Sequence, residues 1–152
     1  MENLHLFLAH AIELESDSAR RYEELVAAME IQGSPEVVRF FERMAHYSRL
    51  HLRDAIRRAG HLPPPLRPEQ YCWPDGYSPE AAAWERVDGF LDVAGAMTMA
   101  LEGERRSHAF YAAIAETTTN PRIRKLAGDF AIEEAGHVAL LEAELARLPE
   151  TE

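Results

Sequence analysis

The chain has one cysteine in 152 residues, Cys72. That excludes an intrachain disulfide and leaves no Cys-x-x-Cys pair to hold a metal through thiolates. A reducing cytoplasm is the expected compartment. Long apolar runs are missing as well. None approaches the ~20 residues needed to span a bilayer, and Met1-Glu2-Asn3 is not the basic start of a secretory signal. Basic residues are outnumbered, 16 against 26 acidic, for a formal charge of -10. A nucleic-acid partner would need a basic face, and an anionic membrane surface would repel such a chain.

Proline is absent from four long stretches, and those stretches are what the chain is built from. One domain over residues 1–152 is expected, large enough to bury a good core. The first helix is predicted from Leu4 to about Ile31, with a stripe of Leu4, Phe7, Ala11, Leu14, Ser18, Tyr22, Leu25 and Met29. Gly33 closes it, and Ser34-Pro35 reads as an N-cap followed by proline at the first helical position. The second runs from Pro35 to about Ala59 with Gly60 as its stop, on a stripe of Val37, Phe40, Phe41, Met44 and Ala55. The third is predicted from Pro79 to about Thr117, with Gly89 and Gly95 as weak points, on Val87, Phe90, Leu91, Ala94, Met97, Leu101, Tyr111 and Ala115. Asn120-Pro121 repeats the start signal for a fourth helix, which Pro149 ends. Six prolines crowd the connector 60–79. Its Tyr71, Trp73 and Tyr77 are unusual for a free linker, so a crossover packed against the helices is expected.

The chemistry lies on the inner stripes. Glu134 and His137 fall between Phe130 and Leu141, so a carboxylate and an imidazole turn together into the core. A carboxylate buried there unpaired would bind a proton or a cation. Glu15 lies beside Leu14, Ser48 and His51 fill the inward places between Met44 and Ala55, and Glu104 and His108 sit between Leu101 and Tyr111.

The halves also repeat. Ala11-Ile12-Glu13-Leu14-Glu15 with Ser18 and Tyr22 returns 89 residues later as Ala100-Leu101-Glu102-Gly103-Glu104 with Ser107 and Tyr111. Ser34-Pro35, Ala45 and His51 return 86 residues later as Asn120-Pro121, Ala131 and His137. Two similar hairpins with a long connection predict an all-α four-helix bundle with one crossover. Glu15, His51, Glu104, Glu134 and His137 then converge near mid-bundle. Oxygen and nitrogen donors without thiolate suit iron or manganese, with zinc also possible.

These residues resemble the rubrerythrin-type branch of the ferritin-like superfamily. The carriers are Glu15 seven before Tyr22, His51, Glu104 seven before Tyr111, and Glu134-x-x-His137. The resemblance implies a ferritin-like fold and two irons per chain held by Glu15, His51, Glu104, Glu134 and His137. Tyr22 and Tyr111 are expected in the core, with hydroxyls reaching a ligand carboxylate. It further implies reaction of a di-iron(II) pair with peroxide or dioxygen, or oxidation of iron for handling. There are departures. Ser48 stands where the family has a carboxylate, Ser107 stands where rubrerythrins proper place another Glu, and no rubredoxin domain follows. Peroxide turnover would therefore need an external electron donor. His108 is a possible extra ligand, or a core histidine bonded to a neighbour.

The gap at Ser48 keeps other readings open: a single-metal or zinc site, or a metal-depleted bundle serving as an oligomerisation or partner-binding module. A homodimer is the expected assembly. His5, His10, His46 and His61 are expected at the surface, and Cys72 as a buried apolar filler.

Overall fold

Asn3, Ser34, Asp92 and Asn120 each start a helix, because their side chains accept from backbone N–H groups that the first turn leaves without partners. The helices are α1 (Leu4–Gln32), α2 (Pro35–Ala59), α3 (Val93–Thr117) and α4 (Pro121–Arg147). The structure, a computed structural model, describes residues 1–60, 70–74, 78–79 and 92–148. Residues 61–69, 75–77, 80–91 and 149–152 lie outside it, and with them the readings made for His61, Tyr77, Val87, Gly89, Phe90, Leu91, Pro149 and much of the connector.

The two glycine stops work differently. Gly60 has φ 82, a left-handed conformation that disfavours a side chain. Gly33 has an ordinary φ of -96. There a Cβ would come within 2.9 Å of the Met29 carbonyl oxygen, so glycine is needed for close approach. The third helix differs from expectation. Asp92 takes extended backbone and its carboxylate accepts from the Gly95 N–H at 2.7 Å, so α3 begins at Val93 and no single helix runs through from Pro79. A short carboxylate competing for the backbone favours a cap over a helix interior. Gly95 lies inside the first turn of α3 and does not break it.

α1 packs along α2 and α3 along α4, and the two hairpins meet mostly along α1 and α3. The core is two apolar clusters. One gathers Phe7, Leu14, Ala55, Phe110, Tyr111, Ile123 and Phe130. The other gathers Leu25, Met29, Phe40, Phe41, Met44, Met97 and Leu141. Burying each large side chain contributes about 1.5–3 kcal/mol. Along every helix the residues between the two clusters are polar, and Glu15, Ser18, Ser48, Glu104, Ser107, Glu134 and His137 are all buried there. The bundle therefore carries a polar layer at mid-height, closed above and below by apolar packing.

The described parts of the connector pack against the bundle. Trp73 lies 5.1 Å from Phe110, and Ser78 Oγ donates to Asp17 Oδ2 at 2.6 Å. This corrects two readings. His10 is fully buried, because Tyr71 and Trp73 cover its face of α1. Its Nδ1 donates to the Leu6 carbonyl at 2.8 Å and its Nε2 accepts the Cys72 N–H at 3.0 Å, so both nitrogens of a neutral ring are satisfied. Cys72 is exposed. The backbone of that residue is what the bundle holds. His5 and His46 are exposed. Among the described residues no helix is long and apolar enough to cross a membrane.

Candidate metal centre

Each helix delivers its donors to the polar layer by periodicity alone. Glu15 comes from α1, His51 from α2, Glu104 from α3, and Glu134 and His137 from successive turns of α4. His51, Glu134 and His137 each place one donor atom so that all three lie within 4.8 Å of one another. Glu104 Oε2 is 3.4 Å from His137 Nδ1, Glu134 Oε2 is 3.6 Å from the same nitrogen, and Glu15 Oε2 is 3.9 Å from His51 Nδ1. The five sequence-predicted groups thus form one chain of contacts. The two imidazoles stack, with centroids 4.8 Å apart and planes 13° from parallel. Both turn Nδ1 towards the carboxylates.

Two tyrosines fix the outer carboxylates, each reaching across to the other hairpin. Tyr22 of α1 donates to Glu104 Oε1 at 2.7 Å, and Tyr111 of α3 donates to Glu15 Oε1 at 3.1 Å. In each case the second oxygen, Oε2, is left facing a histidine. Where the repeat has Glu134 in the second hairpin, Ser48 is buried and bonds to Ser18 Oγ at 2.9 Å. His108 is half-buried and, among the described residues, forms no hydrogen bond, ion pair or ring contact. Among the described residues, the histidines that cluster with Glu134 are His51 and His137, not His108.

Three carboxyl groups in so dry a place cannot all ionise together. Burial drives Glu15 up to about 7. The nearby Glu104 charge adds to the rise, and bonds from Glu134 and Tyr111 oppose it. Burial also favours the neutral acid at Glu104, but Glu134 and His137 outweigh it and hold that carboxyl below its usual range. Burial drives His51 down to about 4, aided by charge on His137. Burial acts the same way on His137, yet Glu104 beside it prevails and raises it above the ordinary histidine value.

Even so the protons do not satisfy the site. His51 Nδ1 and Glu104 Oε2 are buried polar atoms with no hydrogen-bond partner. Buried polar atoms are rarely left so without an ion or ligand to explain them. A hard or borderline divalent cation fits that donor set, with carboxylate oxygen and imidazole nitrogen and no sulfur. Three carboxylates match two such cations, which would more than neutralise them.

Residues outside the sequence prediction also belong to the site. Tyr47 stacks on His137 at 6.0 Å, and Glu133 Oε2 lies 3.4 Å from His51 Nε2. A signal for both was present, because each stands four residues before a site histidine, one helical turn away, and the 86-residue repeat pairs them with each other. Both flank the inward stripe and do not lie on it.

Comparison with known proteins agrees with this geometry. The family model described as Rubrerythrin matches residues 7–145. A crystal structure of an uncharacterized conserved protein from Magnetospirillum magnetotacticum MS-1 superposes with a TM-score of 0.79 at 32% identity, covering 99% of this chain and 98% of that one. No curated protein matches the chain in sequence.

Proposed function

The chain belongs to the rubrerythrin family, and from that premise we propose that it is a di-iron protein of the ferritin-like fold. In this reading it reduces peroxide or dioxygen, or oxidises iron for handling. Glu15, His51, Glu104, Glu134 and His137 would be the ligands. The observation that carries the reading is the pair of buried donors without hydrogen bonds, His51 Nδ1 and Glu104 Oε2, facing the same layer from different helices.

A bound iron pair would supply electrons to an oxygen–oxygen bond. The chain's own residues do the rest. Tyr22 and Tyr111 hold one oxygen of each outer carboxylate, so the other keeps its aim without reorganisation. The apolar clusters above and below exclude water from the layer. Electrons would come from an external donor. Ile132 and Leu140 are exposed on the outer side of α4 and offer apolar surface to a second copy in a cytoplasmic homodimer. Purified protein loaded anaerobically with iron(II) should bind close to two per chain and consume peroxide. Failure to bind above background would end this reading.

One observation favours a second reading. His51, Glu134 and His137 bring three donor atoms within 4.8 Å of one another, which one ion could span, and Ser48 is bonded to Ser18. A single iron, manganese or zinc would sit there. Metal stoichiometry of the protein as purified separates the two.

A further inference from the structure

The internal repeat aligns Tyr47 with Glu133, each four residues before a site histidine. Each crosses the α2–α4 seam to the other hairpin's histidine. Tyr47 stacks on His137, and Glu133 meets His51. The two histidines therefore occupy equivalent places with unlike partners, an aromatic face for one and a carboxylate for the other.

We propose that Glu133 is a positioning residue for His51, whose carboxylate takes up the Nε2–H and so turns the Nδ1 lone pair inward. The inference rests on the metal-binding reading above and names the device that prepares one of its ligands. A neutral imidazole carries its proton on one nitrogen only, and whichever nitrogen is engaged decides which lone pair is free. His51 Nδ1 has no hydrogen-bond partner, while Nε2 has Glu133 Oε2 at 3.4 Å. Among the described residues Glu133 has no competing ion pair. Arg58, whose charge acts on Glu133, is held by Asp54 at 2.8 Å. Glu133 is not itself placed as a ligand. The two ring nitrogens point away from each other, so a carboxylate seated at Nε2 lies on the far side of the ring from whatever Nδ1 holds. Carboxylate behind a metal-bound histidine is a recurrent arrangement because it fixes the ring and raises its basicity. Here it stands next to the place where Ser48 offers no carboxylate.

The test uses the full chain with Glu133→Ala and Glu133→Gln. Glu133 is half-exposed, so neither change disturbs the core. In the metal-free ¹⁵N-labelled protein at neutral pH, His51 should be the Nε2–H tautomer. Glu133→Ala should shift it towards Nδ1–H, while Glu133→Gln, whose amide oxygen still accepts, should keep it. Cobalt(II) affinity, read by calorimetry, should fall about 10-fold or more in Glu133→Ala, the usual loss for an outer partner of a ligand. An unchanged tautomer in Glu133→Ala overturns the proposal, and so does a cobalt affinity within about twofold of the unaltered chain. If the unaltered chain takes up no cobalt, the metal-binding reading fails by itself, and the tautomer comparison still decides the role of Glu133.

Discussion

The two hairpins share a backbone plan and differ at a handful of side chains. Glu15 with Tyr22 on α1 mirrors Glu104 with Tyr111 on α3, down to tyrosines that cross to each other's carboxylate. On the second helix of each hairpin the symmetry fails. Ser48 faces Glu134 across the repeat, and Tyr47 faces Glu133. The helices and their spacing thus come from elements the halves have in common, while the donor inventory comes from where they differ. One hairpin supplies two carboxylates to the layer, and the other supplies one carboxylate and a serine pair.

The most damaging change should be the one that strips the richer hairpin of its extra donor. Glu134→Ala removes the carboxylate that clusters with both histidines, so binding of iron(II) or cobalt(II) should drop below detection at micromolar metal. Removing a buried, incompletely satisfied acid should leave the metal-free protein as stable or more so. Calorimetry with metal and urea unfolding without it check the two halves of this statement. Retained affinity would show that the hairpins differ for some reason other than ligation.

The converse experiment restores the missing symmetry. Ser48→Glu places a fourth carboxyl in a dry layer against Ser18, which is now only 2.9 Å from the serine oxygen. Metal-free protein should lose roughly 2–3 kcal/mol, the scale of burying a poorly paired polar group. Saturating metal should recover that loss and bring stoichiometry to two, if it was one before. Urea midpoints with and without metal measure it. A loss that metal does not recover would mean that crowding at Ser18 decides the site, and that Ser48 is there for packing.

Tyr22→Phe and Tyr111→Phe ask whether the mirrored bonds are also equal in energy. Each removes a hydroxyl donor from a buried carboxyl group, at a cost of about 1–3 kcal/mol in the metal-free protein. The larger loss is expected for Tyr22→Phe. Its acceptor, Glu104, is held in the charged range, whereas Tyr111 serves Glu15, whose carboxyl is driven up to about 7. Hydrogen bonds to ionised groups are the stronger ones. Equal losses would put both carboxyls in the same protonation state.

The fold was legible because its signals are local and repeated. Ser34-Pro35, Asn120-Pro121 and the spacing of apolar residues need only helix geometry, and the caps at Ser34 and Asn120 stand where those dipeptides place them. The site was legible as far as inward stripes reach, which includes Glu15, Glu104, Glu134 and His137. What was hidden depends on contacts between segments far apart in sequence. His10 looked solvated because its cover, Tyr71 and Trp73, comes from the connector. Asp92 was missed because a helix pattern tolerates one acid, and only the backbone reveals that the carboxylate has captured the Gly95 N–H. Glu133 and Tyr47 sit at the margins of their stripes, where periodicity does not separate a contact across a seam from a side chain in water.

His10 gives the finest comparison, since the 89-residue repeat puts the buried Met99 in its place on α3. At this position of the repeat, the titratable group that meets the connector is therefore on the first hairpin. Burial lowers the His10 pKa from 6.5, with the bond to the Leu6 carbonyl opposing it. A depressed value means the folded protein prefers the neutral ring, while the unfolded chain takes up a proton near 6.5. Stability from this group is thus complete above that pH and is lost as pH falls through and below it. Protonation also removes the acceptor for the Cys72 N–H, so acid should loosen the connector before the bundle. Protection of the Cys72 amide, its exchange rate taken relative to that of an unstructured chain at the same pH, should fall as pH drops below 6.5, while protection within α3 and α4 changes less. In His10→Gln, which has an amide oxygen to offer the same N–H and no proton to gain, that acid-side loss of protection should disappear. If it persists, the connector is held by Ser78 and Asp17, and the difference between the hairpins at His10 is one of packing alone.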